Sequence, residues 1–269
     1  MSQRLQHKVA IVTGATSGIG EATARRFVAE GARVVIAGRS VERGEALVAE
    51  LGENAVFFAA DVTREADIAA LVDHAVARFG RLDCLFNNAG GATPGQIDTL
   101  TEDQLIYGMK LLVGSPMFGI KHAARVMRTQ ESGGSIINNS SIAAHRHGQG
   151  DVLYSSAKAA VSHLTHLMAA QLGPERIRVN AISPGAIATP IFWGGMDRVS
   201  TEENTRRMDN LARNLAGATP TPRAGTADDI AHAAVFLASD ERGFVNGHDL
   251  VVDGGRIWQF HERSSAASR

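Results

Sequence analysis

The sequence predicts an α/β fold: a doubly wound parallel sheet of about seven strands with helices on both faces, in one domain. Three observations predict it. Short apolar runs alternate with amphipathic helical stretches along almost the whole chain. The first of these runs feeds a glycine-rich turn that opens a helix. No linker, internal repeat or low-complexity break divides the 269 residues, so residues 1–269 read as a single unit.

Bulk composition narrows the function classes. The chain is 44% hydrophobic and 20% charged with a formal net charge of -1, enough for a large core and without the basic excess that a nucleic acid or an anionic membrane would require. The single cysteine, Cys84, rules out an intrachain disulfide and a cysteine-based zinc site, and its neighbours Leu82, Leu85 and Phe86 give it a buried strand. No charged-then-apolar leader and no run of spanning length are present, so the expectation is a soluble, cytoplasmic protein.

Lys8 to Thr13 reads as the first buried strand and runs into Gly14-Ala-Thr16-Ser17-Gly18-Ile19-Gly20. A helix follows, with Ile19, Thr23 and Phe27 on one face. Strand, glycine-rich turn and helix together let backbone N–H groups approach a phosphate closely, which marks a nucleotide site. The second strand, Arg33 to Ala37, ends at Gly38-Arg39-Ser40. In a dinucleotide fold the end of this strand meets the adenosine ribose. An acidic residue there would hold a 2′-hydroxyl; Arg39 suits a 2′-phosphate, so NADP(H) is expected in preference to NAD(H).

Ala55 to Ala59 is the third strand and leads to Asp61-Val62, placed to touch an adenine ring. Ile68, Leu71, Val72, Ala75, Val76 and Phe79 then mark an amphipathic helix. Leu82 to Phe86 is a fourth strand ending in Asn87-Asn88-Ala89-Gly90, whose carboxamides need hydrogen bonds to be buried and are expected to tie adjacent strands together. Helical material from about Thr101 to Met127 precedes a fifth strand, Ser135 to Asn139, and Ser140-Ser141. Ile177 to Ile182 is a sixth strand, ending in Pro184-Gly185-Ala186-Ile187-Ala188-Thr189-Pro190. Residues 191–222 are expected to be an irregular lid, with Phe192, Trp193, Gly194, Gly195 and Met196 over a cleft. Asp228 to Leu237 is a helix, Asp249 to Val252 a last strand, and residues 264–269 a frayed tail.

Between the fifth and sixth strands lies the stretch Tyr154-Ser-Ser-Ala157-Lys158. Leu153, Ala157, Val161, Leu164, Met168 and Leu172 form a helical stripe, which puts Tyr154 and Lys158 one above the other. A phenol titrates near pH ~10, and a neighbouring ammonium favours its ionised form, so the pair suits proton transfer near neutrality.

Taken together, these residues closely resemble the short-chain dehydrogenase/reductase family over roughly residues 7–256. The resemblance rests on Thr13-Gly14-x-x-x-Gly18-x-Gly20, Asp61-Val62, Asn87-Asn88-Ala89-Gly90, Ser141, Tyr154-x-x-x-Lys158, Asn180, Pro184-Gly185 and Asp253-Gly254-Gly255. It implies a Rossmann fold and a nicotinamide-dependent enzyme interconverting a secondary alcohol and a ketone. Tyr154 would be the general acid–base, Lys158 would lower its pKa and hold the nicotinamide ribose, and Ser141 would bond the substrate oxygen. Ile187 and Thr189 would bind the nicotinamide carboxamide. A homotetramer is also implied, built on the helices at 101–130 and 153–172 and the C-terminal strand. One departure stands out: the asparagine such enzymes carry before the fifth strand falls at or near Leu112, within Met109-Lys-Leu-Leu-Val-Gly114. Any proton relay then either runs differently, through Lys110 or backbone carbonyls, or is weakened.

His145 and His147, in the loop between Ser141 and Tyr154, are candidates to bind substrate or relay a proton. No carboxylate cluster accompanies them, so no metal is expected. Phe192, Trp193 and Met196 point either to an apolar substrate or to an oligomer interface. Two rival readings are a 3-oxoacyl thioester reductase on the same fold and a cofactor-binding but catalytically silent sensor or scaffold.

Overall fold

The computed structural model describes residues 3–93, 96–194 and 199–259. Gly195 and Met196 of the expected lid, and the tail from Ser264, lie outside the described residues. The strands are β1 (Val9–Thr13), β2 (Arg33–Gly38), β3 (Ala55–Ala59), β4 (Cys84–Asn87), β5 (Gly134–Asn139), β6 (Ile177–Pro184) and β7 (Asp249–Val252). They form one parallel sheet in the order β3-β2-β1-β4-β5-β6-β7. The expected strands are all present, displaced at most by a residue or two at their ends.

Side-chain alternation along the central strands explains why helices cover both faces. Ala10, Val12, Val34 and Ile36 share one core with Phe27 of α1 (Gly18–Ala29) and Ile230, Val235 and Leu237 of α8 (Ala227–Ala238). Val9, Ile11, Val35 and Ala37 face the opposite layer, with Leu71, Val72 and Phe79 of α3 (Glu65–Phe79) and Ile120 and Met127 of α5 (Ser115–Met127). Leu164 and Leu172 of α6 (Val152–Leu172) complete that layer. The order in which successive strands join the sheet reverses between β1 and β4, and the crevice at such a switch point is where doubly wound sheets hold ligands.

Two helices were not legible as such. The segment Val41–Leu51 forms α2, where Gly44 replaces a packing side chain: a Cβ there would lie 2.1 Å from the Phe57 ring, so the glycine lets α2 rest on β3. The stretch expected to be irregular contains α7, Thr201–Ala216. Few of its residues are apolar, so the stretch reads as polar although those few share one face; its start is fixed by Ser200, whose hydroxyl accepts from Glu203 N. Glu203 then pairs with Arg206 and Arg207 along the helix.

Helix α4 (Glu102–Met109) opens with a Thr101–Gln104 capping box and continues into α5 through a π-helical turn, Lys110–Gly114. That turn sits at Leu112. Leu112 is buried against Val113 and Ala157, with Leu111 and Tyr154 packed beside them, whereas the Lys110 side chain is exposed.

Candidate active site

The C-terminal ends of β1, β4, β5 and β6 carry the residues singled out above, and each is held there for a physical reason. After β1, Gly14 adopts φ +65°, and a Cβ on it would lie 2.8 Å from Ala89 Cα. A Cβ on Gly20 would lie 2.3 Å from Gly14 O. Only glycine permits both approaches. Thr16 lies at the end of β2: a Cβ on Gly38 would be 2.7 Å from its Cγ2. Ser17 is the N-cap of α1 and makes no side-chain cap bond.

Beyond β3, Asp61 accepts two bonds from Thr63 at 2.9 and 2.8 Å. Burial pushes its carboxyl up, but the Thr63 bonds and the charges of Arg39 and Arg64 outweigh this and hold it below the ordinary range. Arg39 is exposed and close enough to act on Asp61 electrostatically. The neighbouring Val62 is buried.

The carboxamides do tie the strands. Asn87 donates to Asn138 Oδ1 at 2.9 Å, linking β4 to β5, and Asn138 donates to Thr165 Oγ1 at 3.0 Å. Asn88 Nδ2 donates to Thr13 O at 2.9 Å, while the backbone N–H groups of Asn88 and Ala89 both reach Thr13 Oγ1 at 3.0 Å. Gly90 follows, exposed, with Leu112 Cδ2 at 3.5 Å from where its Cβ would be. Asn139 Nδ2 donates to Asn88 Oδ1 at 2.9 Å, yet Asn139 Oδ1 is buried with no partner among the described residues.

Ser141 follows β5 as the N-cap of a short 3₁₀ turn, Ile142–Ala144, and its Oγ accepts from Ala143 N at 3.1 Å. Its proton is therefore free to point toward Tyr154. Tyr154 and Lys158 share one face of α6, with Lys158 Nζ 5.5 Å from the Tyr154 ring centroid. Burial raises the Tyr154 pKa, and the Ser141 bond opposes it. Lys158, 5% exposed, is pulled down to about 8 by burial alone. Its Nζ donates to Asn139 O at 2.6 Å. The expected lowering of the Tyr154 pKa by Lys158 is not what the protein alone produces: dehydration dominates both groups.

After β6, Pro184 and Gly185 lead to a segment pinned by an isolated bridge, Ile187↔Gly225, with Ala188 N donating to Gly225 O at 3.0 Å. Ile187 and Thr189 are both buried there. Asn180 and Asp253 have structural partners: Asn180 bonds Val245 O and His248 N, and Asp253 accepts from Gly255 N and Ile257 N.

The substrate-side candidates separate. His145 Nε2 turns to Asp249 Oδ2 at 3.0 Å and Ser183 Oγ at 3.2 Å, so its ring is engaged with β7 and β6. His147 is exposed. Phe192 is 59% exposed, whereas Trp193 donates its indole N–H to Asn204 Oδ1 at 2.9 Å and lies under Arg207. Cys84 is buried, its thiol pushed up to about 12 by burial, consistent with a packing role. No described helix is long and apolar enough to cross a membrane.

Ser, Tyr and Lys gathered at the carboxyl edge of a doubly wound sheet define an α/β oxidoreductase. A family model described as enoyl-(acyl carrier protein) reductase matches residues 14–256. Momilactone A synthase of Oryza sativa subsp. japonica is 45% identical over 257 residues, covering 94% of this chain and 91% of the relative. The short-chain dehydrogenase reductase ATA1 of Arabidopsis thaliana is 40% identical over 261 residues, covering 94% and 93%. Secoisolariciresinol dehydrogenase of Forsythia intermedia is 37% identical over 261 residues, covering 95% and 91%. The chain belongs to the short-chain dehydrogenase/reductase family.

Proposed function

We propose that the protein is an NADP(H)-dependent oxidoreductase, with NAD(H) as a poorer alternative, that interconverts a secondary alcohol and a ketone on a small-to-medium, largely apolar molecule. One observation carries the reading: Tyr154 and Lys158 share one face of α6 with Nζ 5.5 Å from the phenol ring, and the Ser141 hydroxyl acts on that phenol. A buried lysine with no carboxylate partner among the described residues weakens the fold, which supports a chemical role for it. The names of the relatives agree, speaking of a dehydrogenase and of a tropinone reductase-like protein.

The residues fit a dinucleotide. The cradle at Gly14 and Gly20 would be filled by any side chain, and the open N-terminus of α1 suits a pyrophosphate. Asn139 Oδ1 is a buried acceptor without a donor among the described residues, which a hydroxyl or amide of a bound nucleotide would satisfy. Thr16, Ser17, Gly18, Ile19, Asp61, Val62, Asn88, Ala89, Gly90, Pro184, Gly185, Ile187 and Thr189 would line it, with Lys158 on its ribose. Preference for the 2′-phosphate is supported by Arg39 and by Gly38: a carboxylate there, as needed for a bare ribose, would strike Thr16.

When bound, the nicotinamide supplies or accepts the hydride. The protein's part is positional and electrostatic. Ser141 donates a hydrogen bond to the substrate oxygen, and Tyr154 gives that oxygen its proton in reduction or removes it in oxidation. Lys158 holds a proton, and so positive charge, next to the phenol. Leu112 contributes apolar packing at that point and no polar atom of its side chain. Ile191, Phe192 and α7 would form the lid over the apolar substrate. Exposed Leu105, Ile106, Met109 and Met117 together with Val152 and Leu167 of α6 support a homotetramer, which sedimentation would test. The description of the matching family model favours one second reading, an acyl thioester reductase, which turnover of acetoacetyl thioesters would reveal.

Following nicotinamide absorbance with secondary alcohols and ketones, for the wild type and Tyr154→Phe, tests the assignment. Turnover abolished in the variant is expected.

A further inference from the structure

We propose that Asp249 and His145 are positioning residues that hold the Ser141 turn and the Tyr154–Lys158 turn of α6 in register. The proposal rests on the catalytic reading above. Asp249 lies on the edge strand β7, and its side chain is only 8% exposed. Its carboxylate collects three donors from three other elements. Ser162 of α6 donates at 2.6 Å, Ser183 of β6 at 2.6 Å, and His145 Nε2 lies at 3.0 Å. Ser183 spends its single proton on Asp249 Oδ1, so the 3.2 Å contact from His145 to Ser183 Oγ also faces an acceptor. His145 Nε2 must therefore carry a hydrogen, which fixes the ring's tautomer.

The second branch runs from Ser162 into the catalytic centre. Ser162 Oγ lies 2.8 Å from Ser140 Oγ, which in turn lies 3.0 Å from Lys158 O. With Ser162 donating to Asp249, the Ser140 proton is shared between Ser162 and the Lys158 carbonyl. Ser140, Ser162 and Ser183 are all buried.

The consequence is geometric. Ser140 precedes Ser141, and His145 is the C-cap of the 3₁₀ turn that Ser141 opens. Both flanks of that turn are thus tied to one carboxylate, directly through His145 and through Ser162 from Ser140. The same Ser140 contact reaches the helical turn that carries Tyr154 and Lys158. Ser141 and Tyr154 sit on separate elements, and Asp249 joins those elements. A buried carboxylate with three donors on it loses strength steeply when one leaves, because the remaining charge or donor is left unpaired.

The experiment measures kcat and KM for ketone reduction, and cofactor Kd by nicotinamide fluorescence, in Asp249→Asn, His145→Leu and His145→Gln. Misplacement of Ser141 relative to Tyr154 should lower kcat by about 10- to 100-fold in Asp249→Asn and by about tenfold in His145→Leu. KM and cofactor Kd should stay within about twofold of wild type, because binding is not the affected step. His145→Gln, which keeps an N–H donor, should restore most of the turnover lost in His145→Leu. His145 is part-exposed, so its variants carry the test if Asp249→Asn does not fold. Wild-type kcat in His145→Leu, a loss confined to KM or Kd, or a His145→Gln no better than His145→Leu would each overturn the proposal. Tyr154→Phe is run alongside: turnover retained there removes the catalytic reading itself, independently of the His145 result.

Discussion

Replacing Lys158 by methionine should stabilise the protein while abolishing its activity. The lysine is buried with no carboxylate partner among the described residues, and burial lowers its pKa from 10.5 to about 8. At about 1.36 kcal/mol per tenfold change in proton affinity, keeping this ammonium charged at neutral pH costs about 3 kcal/mol. The bond from Nζ to Asn139 O returns about 1 kcal/mol of that, and methionine would forfeit it. The net gain for Lys158→Met at pH 7 is then about 2 kcal/mol, or roughly 5 °C in Tm for a chain of this size. The sign with pH follows from proton binding. Between pH 8 and 10.5 the unfolded chain binds more protons than the folded one at this site. The penalty is therefore complete below pH 8, shrinks as pH rises from there, and is gone above 10.5. Urea unfolding of both proteins from pH 7 to 11 reads this out, because other titrations cancel in the difference. A Lys158→Met protein less stable than wild type at pH 7, or a difference that does not change with pH, would refute the argument.

Other outcomes follow from the same geometry. Tyr154→Phe should lower kcat by about 10³-fold or more and leave cofactor affinity nearly unchanged, as fluorescence titration would show. Arg39→Ala should weaken NADP(H) binding by about tenfold and NAD(H) binding far less; equal losses would withdraw the 2′-phosphate reading. Gly38→Asp should bind neither cofactor well because it strikes Thr16, and Thr16→Ala in the same chain should let NAD(H) bind. Leu112→Asn places a carboxamide among Val113, Ala157 and Leu111 and should cost about 2 kcal/mol in unfolding experiments.

Much of this was legible before any coordinates. The strands were, because buried parallel strands read as continuous apolar runs, and the glycine-rich turn was, because glycines between a strand and a helix have few other uses. The shared helix face of Tyr154 and Lys158 was legible from their spacing of four. Helix α7 was hidden because its low mean hydropathy reads as loop, although its few apolar residues share one face. The capping pattern Ser200-x-x-Glu203 was the available signal. Helix α2 was hidden by Gly44, whose purpose depends on Phe57, a residue of another element. The Asp249 network was beyond reach for the same reason: Ser140 and His145 flank one turn while Ser162, Ser183 and Asp249 belong to three other elements, and no local pattern links them. Nor could spacing reveal that dehydration dominates Tyr154, since burial is a property of the assembled fold.

The account depends most on Tyr154 transferring the proton while a nicotinamide transfers the hydride. The measurement that tests this directly is NADPH oxidation with a panel of apolar ketones, wild type against Tyr154→Phe, with cofactor binding verified in both. The account predicts ketone-dependent oxidation in the wild type that disappears in the variant although NADPH still binds. Ketone turnover that survives in Tyr154→Phe would contradict it.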